Sequence, residues 1–403
     1  MRKISTVFLF CLSSIAFAEP GTGLQNPLQK ELTGKTCQFW EDSQHIPHFK
    51  AEEENVGFAC LGYLHGRDRS WQMDLMRRVG EGKLAELKGT DGIRSDFIMR
   101  LLDLKGRAAK MFKELDPAHQ NFLWSYAYGV NQGFNEAQKK GVYEFQDLGL
   151  RPEPWTPEDS LLMVYLQSLD QTRRSFELQL TEKEWMKKYP KDAAQLFRFD
   201  SLPWDTKILK PGEYPTRSDS LAHPPNSVPL NGSANEASQK KWLQEFREFV
   251  SVIPDSSIGS NNWVLNSSRT EKGFAILAND PHLQITYPSF WYWVHWNTNE
   301  IDSMGASFPG LPLIAIGTNR HVSWGVTNSY LPVARLSMVS ESELKDSKEN
   351  RTWIWFKLWK FKLPYFFKTL RRTAGGLPIL PLSDSYGKAV VLRWTGFDFG
   401  PKD

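Results

Sequence analysis

Cysteine is scarce in this chain, and long apolar runs are missing from most of it. Its 403 residues include three cysteines, Cys11, Cys37 and Cys60. So few cysteines exclude a disulfide-dense scaffold and the paired Cys-x-x-Cys motifs of structural zinc sites. No stretch beyond the N-terminal region reaches about 18 unbroken apolar residues, so we expect no membrane-spanning helix.

The charge balance likewise has no strong sign. Lys and Arg number 49 against 46 Asp and Glu, which gives a formal net charge of +3. The basic residues are dispersed and match no nucleic-acid-binding motif, so we expect no nucleic-acid partner. Aromatic residues are abundant at 13%, including 16 Trp. That abundance suits a large core and an aromatic-lined pocket equally well.

The N-terminus resembles an export signal. A short basic start, Met1-Arg2-Lys3, precedes a mostly apolar run from Ile4 to Phe17. Ala16-Phe17-Ala18 fits a small-x-small cleavage site, so residues 1–18 are predicted to be a signal peptide. The alternative is a buried N-terminal helix. An exported protein would be periplasmic or secreted, where Cys37 and Cys60 form either one disulfide or two buried thiols.

The first half of the chain is predicted to be mainly helical. Residues 34–64 alternate apolar and polar segments, which favours strands and a turn. Apolar spacing then predicts a helix over Gly66–Leu87, with Arg77 and Arg78 towards solvent. Further helices are predicted over 97–112 and 117–137 and from Pro157 to about Leu180, the last two beginning with a cap and a proline.

A change of composition divides the chain. Residues 202–240 are rich in Pro, Ser and Asn, as in a linker. One more helix is predicted, with Trp242, Phe246, Phe249 and Val250 on one face. After Ser260 short apolar and aromatic runs separated by polar turns predict strands. A helical part followed by a β-rich part is typical of an α+β fold.

One segment is basic and aromatic and contains no acidic residue. Arg351 to Ala374 contains seven Lys or Arg, eight aromatic residues and no Asp or Glu. We interpret it as a β-hairpin with a solvated basic face. The alternatives are a patch for a membrane surface or an anionic ligand, and an altered reading frame.

Ser260 lacks the usual surroundings of a catalytic serine. No Gly-x-Ser-x-Gly or Ser-x-x-Lys pattern surrounds it. A serine at the start of a chain needs neither, because its own α-amine, with a pKa of about 7.7–8, serves as the base. That solution requires cleavage between Gly259 and Ser260. The alternative is an ordinary serine in a turn or cap.

Several motifs resemble the penicillin acylase (penicillin amidase) family of N-terminal nucleophile hydrolases. They occur in the family's order and span nearly the whole chain. These are Ile46-Pro47-His48, Asp68-Arg69-Ser70-Trp71-Gln72-Met73, Pro154-Trp155-Thr156-Pro157-Glu158-Asp159, Gly259-Ser260-Asn261-Asn262-Trp263, Ser268-Arg269-Thr270, Leu277-Ala278-Asn279-Asp280-Pro281-His282, Phe308-Pro309-Gly310, Ser323-Trp324-Gly325-Val326-Thr327-Asn328 and Leu392-Arg393-Trp394-Thr395.

The resemblance implies an αββα sandwich and two subunits cut from one precursor. Residues 19–200 would be the α-subunit-like region, 201–259 a spacer, and 260–403 the start of the β-subunit-like region. Ser260 would be the nucleophile and its α-amine the base, after cleavage following Gly259. Asn328 matches the backbone oxyanion donor. His282 would orient the amine, as in the acyl-homoserine-lactone, cephalosporin and aculeacin acylase branches, or else bond to backbone in a Pro-His turn.

Two departures from the family pattern affect the expected chemistry. Family members often bind calcium, and Glu177 fits the α-subunit ligand. The β-subunit ligands fall near Pro332 and Arg335, which supply no carboxylate. We therefore expect no required cofactor, with Glu177 as the single candidate calcium ligand. In addition, the family continues well beyond Leu392-Arg393-Trp394-Thr395, whereas this chain ends at Asp403.

The implied reaction is hydrolysis of the acyl-amide bond of a small N-acylated molecule, either a β-lactam side chain or an N-acyl-homoserine lactone. A separate chain would supply the missing C-terminal half. One alternative is a truncated, catalytically incomplete family member. The other is an exported non-catalytic binding protein, for instance an aromatic-rich glycan binder.

Overall fold

Helices dominate the first half of the chain. The computed structural model describes residues 13–16, 27–189, 236–253, 257–328, 333–339, 344–358, 361–381 and 389–398. Its α-helices are α1 (Gln29–Leu32), α2 (Glu54–Glu81), α3 (Ala85–Lys88), α4 (Ile93–Leu102), α5 (Leu104–Glu114), α6 (Pro117–Lys140), α7 (Tyr143–Leu148), α8 (Pro157–Lys188) and α9 (Glu236–Ser251). The predicted α+β class, helices first and strands after, is confirmed.

The strands form four sheets in the described part of the chain. They are β1 (Ser13–Ala16), β2 (Thr36–Glu41), β3 (Pro47–Lys50), β4 (Ser257–Leu265), β5 (Ile276–Leu283), β6 (Tyr292–Asn297), β7 (Asp302–Ser307), β8 (Ile314–Thr318), β9 (Ser323–Trp324), β10 (Ala334–Met338), β11 (Lys348–Leu358), β12 (Phe361–Arg372), β13 (Ile379–Leu380) and β14 (Val390–Trp394). The largest sheet has the order β1-β2-β3-β6-β7-β8-β9. The others are β10-β14-β13, β11-β12 and β4-β5.

The large sheet joins the two halves of the sequence. Its one parallel pair is β3 with β6, in which His48 lies opposite His295. Its other neighbours are antiparallel. The inner face, including Phe49, Val294 and Trp296, packs into the main core with helix α2. The predicted β-subunit-like region therefore shares one sheet with the α-subunit-like region.

Helices α2 and α6 approach so closely that only glycine fits at their contact. A Cβ on Gly129 would lie 1.8 Å from the carbonyl oxygen of Ala59, and one on Gly62 would lie 2.1 Å from that of Tyr126. Both distances are far below van der Waals contact. The glycines therefore bring the two backbones together, and the interface forms the centre of the helical layer.

Two sequence predictions fail in α2. Residues 54–64 are helical rather than strand, because a helix buried on every side shows no apolar stripe from which to read its period. Arg77 and Arg78 do not face solvent: they are 2% and 6% exposed. Both guanidinium groups donate to the buried carboxylate of Asp74, and Arg77 also reaches Asp159 on α8 at 3.3 Å.

Helix boundaries follow the predicted caps. The carboxylate of Asp116 accepts hydrogen bonds from the N–H groups of Ala118 and His119 at the start of α6. Thr156 and Asp159 form a capping box at the start of α8. Helix α9 packs on α8 through Phe246 and Phe249, as its apolar face predicted. The side chain of Trp242 lies outside the described residues.

Cys37 on β2 and Cys60 on α2 form a disulfide, with Cα atoms 6.2 Å apart. Both residues are fully buried. The sequence left open either one disulfide or two buried thiols, and the structure contains the disulfide. Strand β1 lies within the predicted signal peptide and pairs with β2 at the sheet edge. The described helices include none long and apolar enough to cross a membrane.

Candidate active site

Ser260 lies near the start of a separate β-hairpin formed by β4 and β5. Gly259 lies opposite His282 and Ser260 opposite Pro281, with a register irregularity between Ser257 and Gly259. Proline has no N–H, so this position gives no ladder hydrogen bond through nitrogen. The backbone pairing is thus irregular beside the predicted cleavage point.

The hydroxyl of Ser260 contacts the peptide bond that precedes it. Its Oγ donates a hydrogen bond to the carbonyl oxygen of Gly259 at 2.6 Å. The side chain is partly buried. A hydroxyl in this position lies close to the carbonyl carbon that it would attack in self-cleavage.

His282 places one ring nitrogen beside Gly259. Its Nδ1 would lie 3.5 Å from a Cβ on Gly259. Its Nε2 lies 2.9 Å from Oδ2 of Asp280 and 3.3 Å from Nδ2 of Asn261. The shorter contact favours the tautomer in which Nε2 donates to Asp280, and in that tautomer Nδ1 faces Gly259 as an acceptor.

Asn279 joins the Ser260 strand to the segment that contains Asn328. Its Nδ2 donates to the carbonyl oxygens of Asn261 and Val326, at 2.9 and 3.0 Å. Its Oδ1 accepts from the N–H of Val326 at 2.9 Å. Gly325 allows this approach, because a Cβ there would lie 2.8 Å from Nδ2 of Asn262 and 2.9 Å from Asn279.

Asn328 is held from the other side by helix α8. Its side-chain Nδ2 donates to Oε1 of Gln171 at 2.7 Å and to the carbonyl oxygen of Gln171 at 3.3 Å. These bonds occupy the side chain of Asn328, whereas the predicted role uses its backbone N–H. The segment 325–328 is therefore fixed at Val326 by Asn279 and at Asn328 by α8.

A buried hydrogen-bond chain supports the Phe308-Pro309-Gly310 motif. The N–H of Gly310 donates to the Tyr126 hydroxyl at 2.9 Å, and that hydroxyl lies 2.7 Å from Nδ1 of His65. Nε2 of His65 lies 2.8 Å from Oγ of Ser307, which donates to the carbonyl oxygen of Tyr292. One direction of donation satisfies every link: Gly310 to Tyr126 to His65 to Ser307 to Tyr292. Burial lowers the pKa of His65 to about 3, so the ring is neutral.

Glu177 does not present a free carboxylate. Oε1 accepts from Nε of Arg173 at 2.9 Å and Oε2 accepts from Nη1 of Arg174 at 3.4 Å. Two guanidinium groups on its oxygens oppose the binding of a second cation. Arg335 lies in β10 and Pro332 lies outside the described residues. Within those residues, no group of three or more His, Cys, Asp and Glu could hold a metal ion. The residues around Glu177 therefore do not fit calcium.

Large apolar side chains are exposed on both strands of this hairpin and beyond it. Trp263 and Val264 are 57% and 63% exposed on β4, and Ile276 is 50% exposed on β5. Ile285 and Tyr287, which follow β5, are fully exposed. Apolar surface of this extent is typical of a face that binds a ligand or another polypeptide.

Sequence reasoning assigned no role to three residues that position this site: Asn279, Asp280 and Gln171. Asn279 and Asp280 belong to the motif Leu277–His282, and the alternation of side chains along a strand could have placed Asp280 and His282 on one face. Gln171 carries no local pattern, because its role depends on how α8 packs beside the segment of Asn328.

Comparison with known proteins gives one family. The family profile described as penicillin amidase matches residues 40–401. An acyl-homoserine lactone acylase QuiP of Pseudomonas fluorescens (strain Pf0-1) is 29% identical over 70% of this chain and 33% of its own length. The penicillin acylase 2 proenzyme of Pseudomonas sp. (strain SE83) is 27% identical over 75% of this chain and 37% of its own.

A solved structure, a thermostable penicillin G acylase from Alcaligenes faecalis, is 20% identical with a TM-score of 0.36, covering 43% of this chain and 97% of that one. The chain spans about a third of the length of the two curated relatives, the acyl-homoserine lactone acylase and the penicillin acylase 2 proenzyme.

Proposed function

The chain belongs to the penicillin amidase family, and on that premise we propose that it is a self-cleaving amidohydrolase with Ser260 as its nucleophile. Its substrates would be small molecules that carry an acyl group in amide linkage. The observation that carries the proposal is the 2.6 Å hydrogen bond from the Ser260 hydroxyl to the carbonyl oxygen of Gly259.

Self-cleavage would begin with that hydroxyl. Oγ of Ser260 attacks the carbonyl carbon of Gly259, the bond from that carbon to the Ser260 nitrogen breaks, and the nitrogen takes up the hydroxyl proton. Water then hydrolyses the ester. The products are a carboxylate on Gly259 and a free α-amine on Ser260. Cleavage would separate the α-subunit-like region (19–200) and the spacer (201–259) from the β-subunit-like region (260–403).

Turnover would use the same hydroxyl with the new amine as its base. Oγ attacks the substrate carbonyl, the amine passes the proton to the leaving nitrogen, and water releases the acid from the acyl-enzyme. The backbone N–H of Asn328 would donate to the developing oxyanion, an interaction typically worth roughly 2.7–4 kcal/mol of barrier. Nδ1 of His282 would accept a hydrogen bond from the amine and so orient it, with Asp280 fixing the ring.

The relatives support the proposed substrate class. Acyl-homoserine lactone acylases and penicillin acylases are both among the curated matches. We propose N-acyl-homoserine lactones ahead of penicillin G, because the histidine that His282 matches occurs in the acyl-homoserine-lactone, cephalosporin and aculeacin acylase branches rather than in the phenylacetyl-specific one. Export to the periplasm, through the predicted signal peptide at residues 1–18, is part of the proposal, and the buried Cys37–Cys60 disulfide supports an oxidising compartment.

A second polypeptide is proposed as part of the active protein. Its support is the exposed apolar surface on β4 and β5. It would cover that surface and complete the site around Ser260. The competing candidate is an exported binding protein that uses the same surface without catalysis.

Release of the free amine tests the activity. The purified chain, alone and co-expressed with the remaining two-thirds of a relative, is incubated with an N-acyl-homoserine lactone and with penicillin G. The amines released are quantified by mass spectrometry. We expect lactone cleavage in the co-expressed sample and none with Ser260→Ala. Ligand binding without amine release in both samples would instead support the binding protein.

A further inference from the structure

The hairpin of β11 and β12 carries chemistry that the proposed acylase does not use. Between Lys348 and Arg372 the sequence has eight basic residues and one acidic residue, Glu349. The basic residues are Lys348, Arg351, Lys357, Lys360, Lys362, Lys368, Arg371 and Arg372. The two strands pair along their length, as the sequence predicted.

The base of the hairpin is fixed to the helical layer. Nη1 of Arg100 on α4 donates to Oγ1 of Thr352 at 2.9 Å, and Nη2 of Arg372 donates to the carbonyl oxygens of Arg100 and Leu101 at 2.7 and 3.0 Å. Ile354 is 1% exposed and belongs to the main core. These contacts hold the base of the hairpin, and Lys362, nearer the turn, pairs with Glu86 on α3.

The other end, which we call the hairpin tip (residues 355–358 and 361–364), exposes apolar side chains on both faces. Neighbouring residues of a strand point to opposite faces. Leu358 and its cross-strand partner Phe361 are 48% and 70% exposed on one face. Trp355 is 45% exposed on the opposite face, and Trp353 beside it is 49% exposed.

Two lysines face each other across this tip. Lys357 pairs directly with Lys362 in the ladder. Like charges directly opposite each other destabilise a strand pair. Glu86 on α3 offsets one of them, with Oε2 lying 2.8 Å from Nζ of Lys362. A negatively charged surface at the tip would offset the other.

We propose that the hairpin tip docks on an anionic lipid bilayer surface. Tryptophan and lysine together suit the bilayer interface, where the ring lies at headgroup depth and the ammonium group reaches the phosphates. A protein partner would cover one face of a two-stranded ribbon. The interface of a bilayer surrounds both faces of an inserted tip, which matches apolar exposure on both.

Vesicle sedimentation tests the proposal on the full chain. Sucrose-loaded vesicles of phosphatidylcholine alone are compared with vesicles that also contain phosphatidylglycerol. We expect binding to the anionic vesicles only, weakening with added salt. Lys357→Gln with Lys362→Gln should weaken partitioning about tenfold or more. Trp355→Ala with Phe361→Ala should weaken it by a similar factor.

Trp185→Ala is the matched control, since Trp185 is a 43% exposed tryptophan on α8, and it should bind like wild type. Thermal melts check that each variant is folded. Absence of binding to anionic vesicles would overturn the proposal. A second outcome would also overturn it: the lysine substitutions weaken vesicle binding, the apolar substitutions do not, and soluble polyglutamate or inorganic phosphate competes fully with the vesicles. The tip would then be a general anion site.

Discussion

The side-chain amide of Asn279 hydrogen-bonds both backbone groups of Val326, donating to its carbonyl oxygen at 3.0 Å and accepting from its N–H at 2.9 Å. The same amide donates to the carbonyl oxygen of Asn261, the residue after Ser260. One side chain therefore connects the strand of the proposed nucleophile to the segment of the proposed oxyanion donor, Asn328.

Replacing Asn279 by Asp should loosen that connection with little change of shape. The carboxylate has no N–H, so it loses both donated bonds and faces two carbonyl oxygens, at a local cost of roughly 1–3 kcal/mol. We expect faster hydrogen exchange in a peptide that contains Val326, measured by mass spectrometry. Asn266→Asp is the control, because Asn266 accepts from the N–H of Ser268 and Asp can do the same. Unchanged exchange in Asn279→Asp would show that the amide does not hold Val326.

Acid should destabilise the fold through His65. Burial lowers the pKa of His65 from 6.5 to about 3. Between these two pH values the ring is protonated in the unfolded chain and neutral in the folded chain. The free energy of unfolding is therefore at its full value above pH 6.5, and it decreases as the pH falls towards 3. Between pH 7 and pH 5 the loss is about 2 kcal/mol in the free energy of unfolding.

Urea unfolding at both pH values measures that loss. His65→Gln should reduce the pH-dependent loss by about 2 kcal/mol, whereas His321→Gln at an exposed position should leave it unchanged. Equal pH dependence in wild type and His65→Gln would refute the assignment of a neutral, buried imidazole.

Gly129→Ala should separate α2 from α6. The added Cβ would lie 1.8 Å from the carbonyl oxygen of Ala59, which is backbone and cannot rotate away. We expect a loss of about 3 kcal/mol, the upper part of the usual range for overpacking. Gly375→Ala is the control, since its Cβ meets only Oγ1 of Thr373 at 3.9 Å and should change stability by less than about 0.5 kcal/mol. Chemical denaturation compares the two.

Reduction should weaken the anchor between β2 and α2. The Cys37–Cys60 bond joins residues 23 apart in sequence, and loops of this size typically gain about 3 kcal/mol from closure. Dithiothreitol should therefore lower the melting temperature of wild type. The same reductant should leave Cys37→Ser with Cys60→Ser unaffected. A wild-type melt that is insensitive to reductant would mean that the bond does not contribute.

Local chemistry made much of the fold predictable. Asp116 and Thr156 mark helix starts because capping depends on a few adjacent residues. The helix of residues 54–64 escaped prediction because it is buried on every side and so shows no apolar stripe, and its contact with α6 at Gly62 joins distant parts of the chain. The burial of Arg77 escaped prediction for a similar reason, since Asp159 on α8 completes its pairing, and Arg78 pairs with Glu86 on α3.

The candidate site was predictable where a motif is contiguous. The pairing of β4 with β5 brings Gly259, Ser260 and His282 together. A hairpin of two strands that are adjacent in sequence can be predicted from a short-range pattern. Gln171 and Asn328 are 157 residues apart, and no local signal links them. Glu177 matched a position in a family pattern, but Arg173 and Arg174 one turn away occupy its oxygens.

Self-cleavage at Gly259–Ser260 is the central claim, and intact-mass analysis with N-terminal sequencing of the purified protein tests it most directly. We predict a chain that begins at Ser260 in wild type and its absence in Ser260→Ala. A wild-type protein that remains a single uncut chain, or the same cleavage in Ser260→Ala, would contradict it.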